Sequence, residues 1–217
     1  MSHMIVAGAT GLIGSHIAQQ LNDPQQQVTL LSRRKMSPPY AHQQINVDYF
    51  TTGQLPASTS SQDTVFCALG TTIKKAGSKS AFEQVDLTLV VELATAAKAA
   101  GFQKFVVVSS LGVKPDTTNF YLATKAKMEA ALTDLGFASL VIVRPSLLLG
   151  ERAEFRMGER FAEIVATLLS PIFKGKLARY RPVQAADVAK AMIHLATQKT
   201  GPVTVVESES IRLLAAQ

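Results

Sequence analysis

The sequence predicts an α/β fold organised as a doubly wound parallel sheet, and three observations carry that prediction. Short apolar runs alternate with helical patterns along the chain. The runs are continuously apolar, as expected of strands covered on both faces by helices. A glycine-rich turn, Gly8-Ala9-Thr10-Gly11-Leu12-Ile13-Gly14, joins the first run to the first helical pattern.

Taken in order, residues 5–7, 28–31, 64–68, 105–108, 140–143 and 203–206 read as strands, with a further short strand at 45–47. Helical patterns occupy 12–21, 81–100, 121–135, 160–169 and 186–197. Gly101 and Gly136 stand where left-handed residues end helices. Residues 151–182 break the alternation with charges, an apolar stretch and Ser170-Pro171, and are expected to form a small C-terminal substrate cap. At 217 residues the chain supports one good core and is read as a single domain.

Composition narrows the function classes. Hydrophobic residues make up 47% and no apolar run reaches the length of a bilayer span, so a soluble protein without a membrane partner is expected. The start of the chain lacks a secretory signal, from which a cytoplasmic location is expected. The single cysteine, Cys67, lies inside an apolar run and reads as a buried strand residue; with four scattered histidines, no metal site is expected. The net charge of +6 is dispersed and lacks aromatic interleaving, which argues against nucleic acid and for a small-molecule substrate. The apolar faces of the helices at 81–100 and 121–135 are explained by packing on the sheet and leave a homo-oligomer open.

Ligands of such sheets bind beyond the carboxyl ends of the strands. That rule gathers 8–14, 32–34, 69–72, 109–111 and 145–147 at one rim. At the first of these, Gly8 can make the turn, Gly11 can lie under a phosphate and Gly14 can let the helix approach the sheet. The free N–H groups and positive end of the following helix attract a diphosphate, so Gly8, Thr10, Gly11, Leu12, Ile13 and Gly14 are assigned to a dinucleotide. The acidic residue that would accept the adenosine ribose hydroxyls is replaced by Ser32-Arg33-Arg34. A guanidinium pairs with a 2′-phosphate where a carboxylate repels it, which favours NADP over NAD and assigns Arg33 and Arg34 to the cofactor. Asp48 is within reach of the adenine amino group or is a surface carboxylate.

Tyr121 and Lys125, four apart on one helix, face the same way. A phenol becomes an acid–base catalyst near neutral pH when a neighbouring cation stabilises its anion, and Lys125 supplies one. Lys125 can also hold the nicotinamide ribose. Ser109 or Ser110, closing the strand at 105–108, can donate to a substrate carbonyl as its oxygen gains charge.

These residues resemble the short-chain dehydrogenase/reductase superfamily in its atypical and extended branches. The resemblance runs through Val6-Ala7-Gly8 to Gly14, Cys67 to Thr72, Val107 to Ser110, Tyr121 to Lys125, Arg144-Pro145-Ser146 and Asp187-Val188-Ala189. It is nearest to the small NAD(P)H-binding group that includes Tat-interacting oxidoreductase-like proteins and bacterial proteins labelled sugar-nucleotide epimerases. It implies a Rossmann-like fold, Ser109 as the catalytic serine, Leu69, Gly70, Thr71 and Thr72 beside the cofactor, and Pro145 and Ser146 flanking the nicotinamide. Extended sugar-nucleotide enzymes carry a larger C-terminal domain than the segment after Gly150 supplies. The expectation is therefore an NADPH-dependent reductase of a small carbonyl compound, with Ser109, Tyr121 and Lys125 as its catalytic set. The competing class is a regulatory or interaction protein that senses NADP(H) with little or no turnover.

Overall fold

The computed structural model describes residues 2–33, 37–150 and 179–216. Its strands are β1 His3–Ala7, β2 Gln27–Leu31, β3 Gln43–Asn46, β4 Thr64–Cys67, β5 Lys104–Val108, β6 Ser139–Arg144, β7 Leu148–Leu149, β8 Val183–Gln184 and β9 Val203–Glu207. Among the described residues, seven of them form one sheet in the order β3-β2-β1-β4-β5-β6-β9, and every pairing in it is parallel. The predicted fold class, a Rossmann-like α/β sheet, is what the chain adopts. β7 and β8 pair separately as a short parallel ladder that the sequence reading did not anticipate.

The helices are α1 Leu12–Gln20, α2 Tyr49–Thr52, α3 Ile73–Ala76, α4 Lys79–Glu83, α5 Leu89–Ala99, α6 Phe120–Asp134, α7 Ala185–Thr197 and α8 Ser208–Ala215. Strand alternation divides the apolar side chains into two layers. Val6, Val28, Val106 and Val141 join α1, α7 and Ile211 of α8 on one face. Ile5, Val65, Phe105 and Val107 join Val90, Leu93, Met128 and Leu132 of α5 and α6 on the other. Each fully buried side chain of this size contributes roughly 1.5–3 kcal/mol, so burial on both faces explains why the strands lack polar alternation.

One predicted helix is interrupted. Residues 81–100 form α4, a π-helical turn over Gln84–Thr88, and α5. A π turn accommodates one extra residue while the apolar pattern on either side continues, so hydrophobic periodicity does not register it. The turn places Asp86 in the interior, 1% exposed. Gly101 (φ 91°) and Gly136 (φ 64°) are left-handed just after α5 and α6, as predicted. The expected helix at 160–169 and most of the expected cap lie outside the described residues.

Candidate cofactor and proton-transfer site

The sheet reverses its winding between β1 and β4, and register sets their ends level. Ala7 pairs with Leu31 on one side and Cys67 on the other, Cys67 with Val107, and Val108 with Val143. Gly8, Ala68, Ser109 and Pro145 therefore follow the strand ends at one rim.

Gly8 has φ 83°, and a Cβ there would lie 2.5 Å from the Ala68 carbonyl oxygen. Gly14 is tighter still, since its Cβ would fall 2.1 Å from the Gly8 oxygen. The Gly11 N–H donates to that same oxygen at 2.8 Å, closing the turn. As N-cap of α1, Gly11 brings no side chain to the first N–H groups, and the first helical turn carries no acid. This combination of close backbone packing and an uncapped positive helix end fits a diphosphate.

At the end of β2, Ser32 is buried and its N–H donates to Asn46 O, which leaves Arg33 exposed just beyond. Arg34 lies outside the described residues. Asp48 stands exposed before α2, where the Asn46 side chain accepts its N–H. Leu69, Gly70 and Thr71 form the exit from β4, and Thr72 caps α3 by accepting the Lys75 N–H at 3.1 Å. Cys67, beneath this exit, is fully buried and its thiol is pushed up to about 11 by burial. That environment suits a core residue and not a nucleophile.

Asn119 starts α6 by accepting the Leu122 N–H, and the helix then presents Tyr121, Lys125 and Glu129 at four-residue intervals. The half-buried Tyr121 ring rests on Phe82, centroids 5.5 Å apart. The Lys125 ammonium meets Asp86 Oδ1 at 2.7 Å, with both side chains nearly excluded from solvent. Asp86 Oδ2 accepts the Thr71 N–H at 2.8 Å. One carboxylate thus touches both the exit from β4 and the lysine of α6.

Ser109 is 4% exposed, and its hydroxyl donates to Glu129 Oε1 at 2.5 Å. Glu129 is gripped from its other side by Arg144, whose Nε and Nη2 reach its two oxygens at 3.0 and 2.6 Å. Arg144 Nη1 continues to Glu207 at 3.0 Å. Its hydrogen bonds to Glu129, opposed by burial, hold the guanidinium above its ordinary value. Beyond β5 the chain stays paired, with Ser109 N–H donating to Val143 O and Leu111 N–H to Pro145 O. Side chains therefore continue to alternate, and Ser110 turns from the side that Ser109 occupies. Ser110 is half-buried, with its hydroxyl 3.4 Å from the Leu111 oxygen. Pro145 is buried, while the Ser146 hydroxyl donates to Arg181 O and accepts from Ser208.

Sequence reasoning thus brought the right segments to one rim but missed Asp86 and Glu129, and it gave Arg144 no partner. A lone acid inside the apolar stretch Val85-Asp86-Leu87 was the available signal for the first, and the continued spacing from Tyr121 for the second. Among the described residues, no group of three or more His, Cys, Asp or Glu is placed to hold a metal ion.

A family described as NAD(P)H-binding matches residues 8–199. This chain belongs to that family. Protein FMP52, mitochondrial, of Candida albicans is 31% identical over 201 residues, covering 88% of this chain and 86% of the relative. Protein HTATIP2 of Rattus norvegicus is 30% identical over 215 residues, covering 96% and 87%. The human epimerase family protein SDR39U1, solved with NADPH, superposes with TM-score 0.65 at 19% identity, over 99% of this chain and 79% of that one. MoeE5, solved with UDP-glucose and NAD, gives TM-score 0.65 at 16% identity, over 100% and 81%. Family and fold agree with the resemblance read from the sequence, including its Tat-interacting relatives. Binding of NAD(P)H is the family's description; the neighbours, one with each cofactor, do not separate NADP from NAD.

The cytoplasmic expectation is corrected by the fungal relatives, which are named mitochondrial. The expectation was drawn from the secretory pattern alone, which does not discriminate between cytoplasm and an organelle interior. Among the described residues no helix is long and apolar enough to cross a membrane.

Proposed function

We propose that this protein is an NADPH-dependent reductase of a small carbonyl compound. The observation that carries the reading is Lys125, one turn after Tyr121 on α6, joined through Asp86 to the Thr71 exit from β4, the strand that pairs with β1 before the uncapped α1 end. Bound NADPH supplies the hydride. Tyr121 delivers the proton to the carbonyl oxygen, and Lys125 supports the phenolate that remains. The bond that polarises the carbonyl falls to Ser110, because the Ser109 proton is already given to Glu129. Arg33, exposed at the exit of β2, is suited to pair with a 2′-phosphate, and this supports NADPH over NADH.

A second reading, an NADP(H) sensor with little turnover, is favoured by one specific observation. The Lys125 charge is already matched by Asp86, which leaves less of it for the phenol. The two readings separate on a panel of small aldehydes and ketones with NADPH. Turnover that is lost in Tyr121→Phe with cofactor affinity retained supports the reductase. NADPH binding without oxidation across the panel overturns it. Arg33→Ala should weaken NADPH more than NADH, and equal losses would count against the 2′-phosphate contact.

A further inference from the structure

We infer that the carbonyl substrate carries a carboxylate set apart from its carbonyl, and that Lys79 receives this carboxylate beside Tyr121. The inference rests on the reductase reading and names the class of compound that the site takes. The Phe82 ring is fully buried and meets both Phe120, at 5.9 Å between centroids, and Tyr121, at 5.5 Å. The Lys79 ammonium lies 5.0 Å from the centre of the Phe120 ring. One aromatic cluster thus holds a cation and the phenol together, although they belong to α4 and α6. Because the ammonium rests on the neighbouring ring and not on the phenol, the anion it receives stands apart from the carbonyl that Tyr121 protonates. A single charge held on an apolar face matches a monovalent carboxylate, whereas a phosphate dianion calls for several donors. The carboxylate takes no part in the reduction, in which the carbonyl carbon gains the hydride of NADPH, its oxygen gains the Tyr121 proton, and NADP+ and an alcohol result.

The charges around this cluster are mostly of one sign. Between Gly70 and Phe82 the chain carries Lys74, Lys75 and Lys79 and no acid. All three are exposed on α3 and α4, which follow directly from the Thr71 exit of β4. The next acid, Glu83, faces Lys127 at 3.8 Å. The loop before α6 adds one charge of each sign, Lys114 and Asp116. Across the rim the Arg181 carbonyl oxygen accepts the Ser146 hydroxyl, which brings a further exposed cation to the end of β6. Arg33 follows β2, on the opposite side of β1 from β4, so these cations are distinct from the one suited to a 2′-phosphate. A crevice flanked by one sign of charge concentrates ligands of the other. Half-buried Phe120 and exposed Ile73, at the start of α3, add apolar surface for the body of the substrate.

The test compares kcat/KM for para-carboxybenzaldehyde and its methyl ester at saturating NADPH. The two share ring and aldehyde, and the ester is the more electron-poor, so intrinsic reactivity favours the ester. The parent should nevertheless prefer the acid by about tenfold at low salt, and the preference should shrink as sodium chloride is raised. Lys79→Met should cut the acid-to-ester ratio by about fivefold, and Lys79→Glu should lower it further. Lys199→Met makes the same change of net charge before β9, at the opposite end of the sheet, and should keep the parent's ratio. Lys79 is exposed, so its variants should melt with the parent. A parent that prefers the ester, or a ratio that Lys79→Met leaves unchanged, overturns the inference, as does an equal fall in Lys199→Met.

Failure of the reductase reading is recognisable separately, as a parent protein that reduces neither aldehyde. Recognition of the anion is then read by calorimetry with NADP present, using para-(hydroxymethyl)benzoate and its methyl ester. Tighter binding of the acid than of the ester, weakened about fivefold by Lys79→Met, supports the inference. Absent binding, or equal affinities in parent and variant, overturns it.

Discussion

The Ser109 hydroxyl donates to Glu129 at 2.5 Å, within the range of a charge-assisted bond, and Glu129 is held in turn by two nitrogens of Arg144. A hydroxyl has one proton, and here it is directed at a carboxylate on α6. The serine that closes β5 therefore ties strand to helix, while the half-buried Ser110 beside it makes no bond to that carboxylate.

Single-cysteine labelling can separate the two serines. Cys67 is the chain's one cysteine; it is fully buried with its thiol pushed up to about 11, so the native background toward thiol reagents is low. Ser110→Cys should react readily and be protected by NADP, while Ser109→Cys should remain unlabelled. Rapid labelling at position 109 with none at 110 would return the donor role to Ser109.

Arg144→Ala leaves the buried Glu129 carboxylate without its cation. Such a loss costs about 3–5 kcal/mol, and at roughly 2–4 °C per kcal/mol for a chain of this size the melting temperature should fall by about 6–20 °C. Glu129→Gln combined with Arg144→Met removes both charges and should recover part of that loss. Arg144→Lys keeps the charge without the planar two-nitrogen grip and should fall in between. Calorimetric melting of the three variants checks the order.

Acid sensitivity should arise at the far end of the sheet. The buried His3 ring has its Nε2 2.9 Å from the Thr29 hydroxyl oxygen, and burial lowers its pKa below 6.5 despite the charge of Asp63. The unfolded chain then binds a proton before the folded one does. The stability from this neutral ring is complete above about 6.5 and is lost as pH falls below that value. Burial alone would raise Asp63, but N–H groups of His3, Thr59 and Ser60 and the Ser58 hydroxyl outweigh it and hold the carboxyl below 3.8. Its contribution is complete above 3.8 and is lost as pH falls further. Urea midpoints against pH should thus show two declines, and His3→Gln should abolish the upper one.

The turn glycines should separate by severity. Gly14→Ala would force a methyl to 2.1 Å from the Gly8 oxygen and should prevent accumulation of folded protein. Gly11→Ala meets the same atom at 3.1 Å, so the fold should survive with a small shift of the turn and NADPH weakened by about tenfold, since the α1 N-terminus that would receive phosphate moves with it. Circular dichroism with NADPH titration tests both; a well-folded Gly14→Ala protein would contradict the packing described.

What was legible in the sequence was local chemistry. The run from Gly8 to Gly14 announced a strand, a turn and a helix because each glycine meets a constraint within a few residues of itself. Tyr121 and Lys125 were found because helical spacing is periodic. Parallel strands with polar ends then supplied the rim. The partners of those residues were not legible. Whether Lys125 faces solvent or a carboxylate depends on how α6 docks against a segment distant in sequence, and helix periodicity says nothing of a neighbour's rotation. Ser109 and Ser110 differ in side-chain direction only because the chain after β5 stays paired with 143–145, a fact of tertiary structure. The helix α8 was missed because its opening residues, Ser208-Glu209-Ser210, read as a polar loop until Ile211 is seen packed in the core.

The π turn over Gln84–Thr88 also leaves a mark that can be followed through descent. Such a turn corresponds to one inserted residue in an otherwise regular helix. Deleting one residue just after Asp86 would restore ordinary winding and rotate everything before it by about 100° about the helix axis, swinging the carboxylate away from Lys125. Relatives whose alignment opens a one-residue gap here should therefore also have lost the acid, so that insertion and aspartate are inherited as one character.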